Sequence, residues 1–270
     1  GPPAVRSSVP WSSAWKLDLR MSEWFIESTP PLLLMAPTGA LCNIVGGVIS
    51  PLLANLFLHY AFDLWMRRTY PGIRFERYAD DAIVHCRSEQ QAREVLEAIR
   101  GRFEQCGLEL HPTKTRIVYC KDDDRPGNFE HHQFDFLGYT FQPRWAKNRW
   151  GKFFTSFLPA ISTKAAKAIR QTIRGWRMAS TRNNQRLEDL ASLINPVVRG
   201  WMNYYGRFYR SKCVQVLRHL NVALAAWARR KYKRFRRRER ASMHWLGRIA
   251  RRDPKLFVLW ELGVRPEAGG

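Results

Sequence analysis

The sequence predicts an α+β fold, an antiparallel sheet with packed helices followed by an all-α region, and three observations predict it. Short β-type runs flank an acidic turn at Ala79-Asp80-Asp81. An amphipathic helical pattern over residues 88–106 follows that turn directly. Beyond residue 160 the chain reads as helices, and most of the positive charge lies in this half. Three segments follow from these patterns. Residues 1–45 lack clear periodicity and read as irregular, 46–142 as the sheet-and-helix domain, and 143–270 as a basic helical region.

The charge bounds the partners. The 270 residues carry a formal charge of +22. Residues 1–140 hold 15 Lys and Arg against 17 Asp and Glu, whereas 141–270 hold 30 against 6. A near-neutral half joined to a strongly basic half suggests chemistry or folding in the first and polyanion binding in the second. Nucleic acid is the first candidate partner and an anionic membrane surface the second. No apolar stretch approaches the ~20 residues that span a bilayer, so no membrane partner is expected. No secretory signal pattern occurs. The five cysteines are scattered and form no Cys-x-x-Cys pair. They read as reduced core residues of an intracellular protein.

Taken in order, the pattern begins at Gly46-Gly47. Ser50 and Pro51 suit an N-cap and first helical position, with Leu53, Leu56, Phe57, Tyr60, Ala61 and Leu64 as the apolar face. Pro71-Gly72 ends that helix. Residues 75–78 and 82–86 form a hairpin around the acidic turn. Ser88 and Gln91 make a capping box for a helix that buries Ala92, Val95, Leu96, Ile99, Phe103 and Cys106 and closes at Gly107. Residues 108–110 and 116–119 read as strands. Asp122 to Asp124 read as a solvated loop. Residues 134–141 read as a strand with Gly138 inside it. Asn195-Pro196 and Gly206 mark breaks or bends among the later helices.

An Asp pair at a hairpin turn has a purely local explanation, because Asp favours turns. Order and spacing carry more. The stretch Gly46-Gly47-Val48-Ile49-Ser50-Pro51-Leu52-Leu53-Ala54-Asn55-Leu56 is followed by Tyr78-Ala79-Asp80-Asp81 and then by Gly107-Leu108-Glu109-Leu110-His111-Pro112-Thr113-Lys114-Thr115. Next come Phe134-Asp135-Phe136-Leu137-Gly138-Tyr139 and Asn195-Pro196-Val197-Val198-Arg199-Gly200-Trp201-Met202-Asn203-Tyr204-Tyr205. In this order the five motifs resemble those of group II intron reverse transcriptases with their maturase, or thumb, region.

The resemblance implies a partial polymerase palm over 46–142 and a thumb/maturase region over 143–270. It implies RNA-directed DNA synthesis by two-Mg²⁺ chemistry and intron RNA binding that assists splicing. Asp80 and Asp81 would be catalytic metal ligands, with Mg²⁺ the cofactor because it takes carboxylate oxygens. Lys114 would lie near the leaving pyrophosphate, although locally it reads equally as an exposed lysine. Tyr78, Ala79, Gly46, Gly47 and Gly138 would lie near primer or nucleotide. For the glycines a helix-opening turn and a β-bulge are equally good local readings. The implied partners are structured intron RNA, an RNA/DNA primer-template and dNTP, in a bacterial cytoplasm.

Two departures qualify this. The family's upstream catalytic aspartate has no match before residue 46. Asp18 stands too near Asp80 and lacks the aromatic pattern expected after it. Asn43-Ile44-Val45 also replace the family's Thr-Pro-Gln. The fingers are missing too, so the chain alone is expected to polymerise poorly, and a catalytically inactive RNA-binding maturase remnant is the alternative. In the basic half, residues 229–240 hold nine cations and one acid. Arg229, Arg230, Lys231, Lys233, Arg234, Arg236, Arg237, Arg238 and Arg240 are the expected RNA-phosphate contacts. The aromatics Trp176, Trp201, Tyr204, Tyr205, Phe208 and Tyr209 read mainly as core. No nuclease motif follows.

Overall fold

The structure, a computed structural model, describes residues 14–20, 50–125 and 127–267. Gly46 and Gly47, and most of the segment read as irregular, lie outside the described residues. The described residues form two compact units, one within residues 1–137 and 142–157 and the other within residues 138–141 and 158–270.

The first unit is built on a four-stranded antiparallel sheet. Strands β1 (Trp15–Arg20), β2 (Phe75–Tyr78), β3 (Asp81–Cys86) and β4 (Arg116–Tyr119) lie in the order β2-β3-β1-β4. The expectation of an irregular segment is therefore corrected at residues 15–20, which supply a central strand. Trp15, Leu17 and Leu19 alternate along β1 and join one buried cluster, so the strand has the period-two pattern of a sheet packed on helices.

Helix α1 spans Ser50–Leu58; Ser50, expected as its cap, is already helical, and the residues just before it lie outside those described. The helix continues through a wider π segment (His59–Asp63) into α2 (Leu64–Thr69). Leu58, Ala61, Phe62 and Met66 are buried, whereas Leu53, Leu56, Phe57 and Tyr60 are exposed, which corrects the expected apolar face. Both sets have helical spacing, and periodicity alone does not say which stripe meets the sheet. Arg102 Nε donates to the Ala61 carbonyl inside the π segment at 3.2 Å, a site where the regular helical ladder is displaced.

Helix α3 (Glu89–Gln105) is capped as predicted by Ser88, whose hydroxyl accepts from Gln91 N at 3.1 Å. The reciprocal bond differs: Gln91 Oε1 accepts from Arg87 N, one residue before the cap. The helix buries Ala92, Val95, Ile99 and Phe103 and ends at Gly107, with φ +69°. Residues 108–110 form no strand; only Leu110 makes an isolated bridge.

Strands β5 (Phe134–Phe136), β6 (Tyr139–Lys147) and β7 (Phe153–Ile161) form a second sheet in that order. Two corrections follow. Gly138 lies in a tight turn and not inside a strand, because Leu137 and Gly138 both take positive φ, +50° and +76°. Residues 143–147 and 153–161 are strand, so the helical region begins later than residue 143.

The second unit is helical beyond that sheet, with α4 (Thr163–Gly175), α5 (Met178–Thr181), α6 (Leu187–Tyr205), α7 (Arg210–Lys231), α8 (Glu239–Arg252) and α9 (Val258–Glu261). Helix α7 is central and packs against α4, α5, α6 and α8. Leu217, Leu220, Leu224 and Trp227 are fully buried along it. The expected break at Asn195-Pro196 does not occur, since α6 runs through Pro196. Leu190, Ile194 and Val198 are buried on one stripe across it, and that packing overrides the local signal. Asn195 itself fastens the chain around α9, donating to Leu256 O at 2.9 Å and accepting from Val258 N at 3.0 Å. Gly206 ends α6 as predicted. No helix among the described residues is long and apolar enough to cross a membrane.

Candidate active site and nucleic-acid surface

The acidic turn closes the β2–β3 hairpin. Tyr78 pairs with Asp81 as the last rung, leaving Ala79 and Asp80 as a two-residue loop. Ala79 takes φ +52°, as tight hairpin loops demand, and its small side chain limits the strain. Asp80 is exposed at the tip, Tyr78 beside it is 65% exposed, and Asp81 is half-buried at the start of β3.

One residue that sequence reasoning passed over fixes this turn from behind. Arg77 grips both carboxylate oxygens of Asp63 at 2.7 and 2.8 Å. Its Nη1 donates to Asn55 Oδ1 at 3.0 Å and to the Ala79 carbonyl at 2.8 Å. The guanidinium thus ties α1, the π segment and the loop together, and its planar fork suits such a multidentate role. No spacing rule reveals it, because Asp63 and Asn55 reach it through the fold.

Rung partners point to one face of a sheet. Asp18 pairs with Ile83 and Lys16 with His85, and Asp81 lies two residues before Ile83 on the same strand. Asp18 therefore shares a face with Asp81, opposite the helix-packed face of Leu17, Leu19, Ala82 and Val84. The alternating apolar residues of β1 were the signal that could have found this strand. Asp18 is 1% exposed, and Arg116 Nε stands 3.6 Å from its carboxylate, an ion pair longer than a hydrogen bond. Farther along the face, Lys16 Nζ donates to His85 Nδ1, and His85 Nε2 donates to Glu76.

This buried group and the buried thiols predict a pH dependence. Burial pushes Lys16 down to about 8, below its ordinary 10.5. The unfolded chain then holds the proton more tightly, so stability rises as pH climbs from about 8 toward 10.5. Burial pushes Cys86 up to about 11 and Cys120 up to about 12 from 9.0. Unfolded thiols ionise first, so stability falls above pH 9. Urea unfolding of the first unit across pH 7 to 11 is expected to show a maximum near pH 9.

Asp80 and Asp81 are adjacent, and two carboxylates together with substrate phosphates suffice for one Mg²⁺. Among the described residues no group of three or more His, Cys, Asp or Glu side chains is placed to hold a metal ion. Two carboxylates are the donors that the turn itself offers. In the loop after β4, Asp122 is held by Arg125, whose Nε donates to it at 3.0 Å. Lys114 is exposed in a turn organised by His111, whose Nδ1 accepts from Thr113 N at 3.3 Å.

In the second unit, a Cβ at Gly138 would come within 3.1 Å of Tyr205 Oη. Tyr139 donates from its hydroxyl to Tyr204 O, and Tyr204, Tyr205 and Phe208 gather round its ring. Gly138→Ala combines a positive φ with this contact and is expected to cost about 1–3 kcal/mol, read by thermal denaturation. The basic run is less uniform than its sequence. Arg229 pairs with Glu239 at 3.1 Å, and Lys231 Nζ donates to Gln185 O at 2.5 Å, so both serve the fold. Arg230, Lys233, Arg234, Arg236, Arg237, Arg238 and Arg240 are exposed. Trp176 and Trp201 stack at 5.8 Å and are partly buried against the core, as expected, whereas Tyr204 and Phe208 are about half exposed.

With this geometry in hand, comparison with known families gives two matches. Residues 42–141 match the reverse transcriptase (RNA-dependent DNA polymerase) model. Residues 166–245 match the group II intron, maturase-specific domain. The two matches do not overlap and together span two thirds of the chain. No curated protein sequence matches it.

Proposed function

Because the chain belongs to the group II intron reverse transcriptase/maturase family, we propose that it binds structured intron RNA and stabilises its splicing-competent form, with an acidic palm turn that serves RNA-templated DNA synthesis. The observation that carries the reading is the braced turn. Asp80 is exposed at the tip of a hairpin whose loop carbonyl, helix and π segment are all held by Arg77. Rigid presentation of carboxylates is what metal-assisted phosphoryl chemistry requires of a protein.

Asp80 and Asp81 would hold Mg²⁺, which when bound neutralises charge on the reacting phosphates. Tyr78 and Ala79 would flank the primer end, and Gly46, Gly47 and Gly138 are the glycines that the family resemblance sets near primer or nucleotide. Lys114 would offer a positive charge or a proton to the departing pyrophosphate. The exposed cations of residues 230–240 would take the RNA phosphates. A bacterial cytoplasm is the compartment proposed with these partners. The division into a palm portion within 46–142 and a basic thumb/maturase portion after it is part of the same reading.

We further propose that residues 1–270 polymerise weakly or not at all by themselves. A second reading, an RNA-binding remnant without catalysis, draws on Asp18, which is buried and ion-paired with Arg116. A carboxylate so neutralised is a poor metal ligand. One pair of measurements decides. RNA binding is expected to weaken steeply with salt, and primer extension on an RNA template with Mg²⁺ is expected to give little product. Absence of RNA binding would overturn the maturase assignment. Robust extension lost in Asp80→Asn would overturn the proposed inactivity.

A further inference from the structure

Between the two family matches lies a segment that neither accounts for, residues 142–165, and it carries the two most exposed aromatic residues of the described chain beside an exposed phenylalanine. Trp145 is 69% exposed, Trp150 75% and Phe153 61%. All three lie in the first unit, on or at the tip of the β6–β7 hairpin. Rings of this size are normally buried, so a cluster of them on a hairpin tip marks a contact surface.

The tip is rigid by itself. Asn148 Oδ1 accepts from Trp150 N at 3.0 Å and from Lys152 N at 2.9 Å. Asn148 N donates to Lys152 O at 2.9 Å, and Gly151 takes φ +87° to complete the turn. Cations interleave with the rings. Lys147 Nζ lies 5.5 Å from the Phe153 ring centre, and the Arg149 guanidinium lies 4.0 Å from that of Trp150. Strand alternation sets Trp145 on the same face as Lys147, and the Lys147 contact sets Phe153 beside it. Trp145, Lys147 and Phe153 thus share one face, and Arg149 and Trp150 pair in the turn that joins the two strands.

The charge selects the partner. From residue 136 to 187 the sequence contains eleven Lys and Arg and no Asp or Glu. A second copy of this surface would be repelled, whereas a polyanion is attracted. Flat rings between cations match unpaired nucleotides, whose bases offer π-faces and whose phosphates offer charge. A duplex hides its base faces in the stack.

Resting on the RNA-binding reading above, we propose that the β6–β7 hairpin tip is a stacking platform for unpaired RNA nucleotides, with Trp145, Trp150 and Phe153 taking bases and Lys147, Arg149 and Lys152 taking phosphates. The test measures binding of the full chain to a short unstructured polyuridine RNA, to an RNA duplex and to anionic phosphatidylserine vesicles. Trp150→Ala and Phe153→Ala are each expected to weaken polyuridine binding about 5- to 150-fold. Duplex binding and the melting temperature should stay within error. Replacing Lys147, Arg149 and Lys152 together by Gln should flatten the log–log salt slope for polyuridine by about 2. Wild-type RNA binding with unchanged affinity in both ring variants would overturn the platform and leave the maturase reading standing. Failure of the wild-type chain to bind any RNA would remove both. Equal loss on polyuridine and duplex would refute base stacking. Loss confined to vesicles would reassign the hairpin to a lipid surface and overturn the proposal.

Discussion

Replacing Arg77 with methionine is expected to destabilise the β2–β3 hairpin by about 3–5 kcal/mol. The guanidinium and its partner Asp63 are 10% and 13% exposed, so the pair is largely withdrawn from water. Removing the cation leaves the Asp63 carboxylate partly buried without its bidentate partner, and Asn55 Oδ1 and the Ala79 carbonyl each lose a donor. An unmatched charge costs far more than a matched pair contributes. The double variant Arg77→Met/Asp63→Leu is therefore expected to recover most of the loss. Hydrogen exchange of the β2 and β3 amides reads this locally, without requiring the two units to unfold together. Unchanged protection in Arg77→Met would show that the turn does not depend on this brace.

The second large effect is expected at Trp260. Its side chain is fully buried, packs on Phe257 with ring centres 4.5 Å apart, and donates from Nε1 to Asn221 Oδ1 at 3.0 Å. Asn221, 3% exposed, passes the interaction on by donating to Val264 O at 3.0 Å. Trp260→Ala opens a large cavity and strips a buried amide of its donor, so a loss of about 3–5 kcal/mol is expected. Trp260→Phe retains most of the ring and forfeits mainly the N–H, for about 1–3 kcal/mol. Hydrogen exchange in α7 measures both, and equal losses from the two variants would refute this partition into cavity and hydrogen bond. Because α7 is the central helix of the second unit, RNA affinity is expected to fall with its stability.

What was legible locally follows a physical rule. The hairpin around Asp80 announces itself because its strands and loop are contiguous, so period-two alternation and turn chemistry are both visible. The cap at Ser88, the closure at Gly107 and the end of α6 at Gly206 are decided within one helical turn and were readable for the same reason. Where a local signal met a packed stripe, the stripe prevailed. Pro196 sits inside α6 because Ile194 and Val198 are buried on either side of it. At Leu137-Gly138 the apolar run hid a two-residue turn, because an exposed leucine at positive φ is not what a turn usually carries.

By itself the sequence determined the family motifs and their order, the acidic loop between two strands, and a charge division that commits one half of the chain to a polyanion. These are properties of residue type and near-neighbour spacing. Only the tertiary structure decided that residues 15–20 are a central strand, that Arg77 holds the acidic turn, that Arg229 and Lys231 serve the fold, and which stripe of α1 is buried. Each of those depends on residues far apart in the chain meeting in space, and no local period or propensity encodes such a meeting.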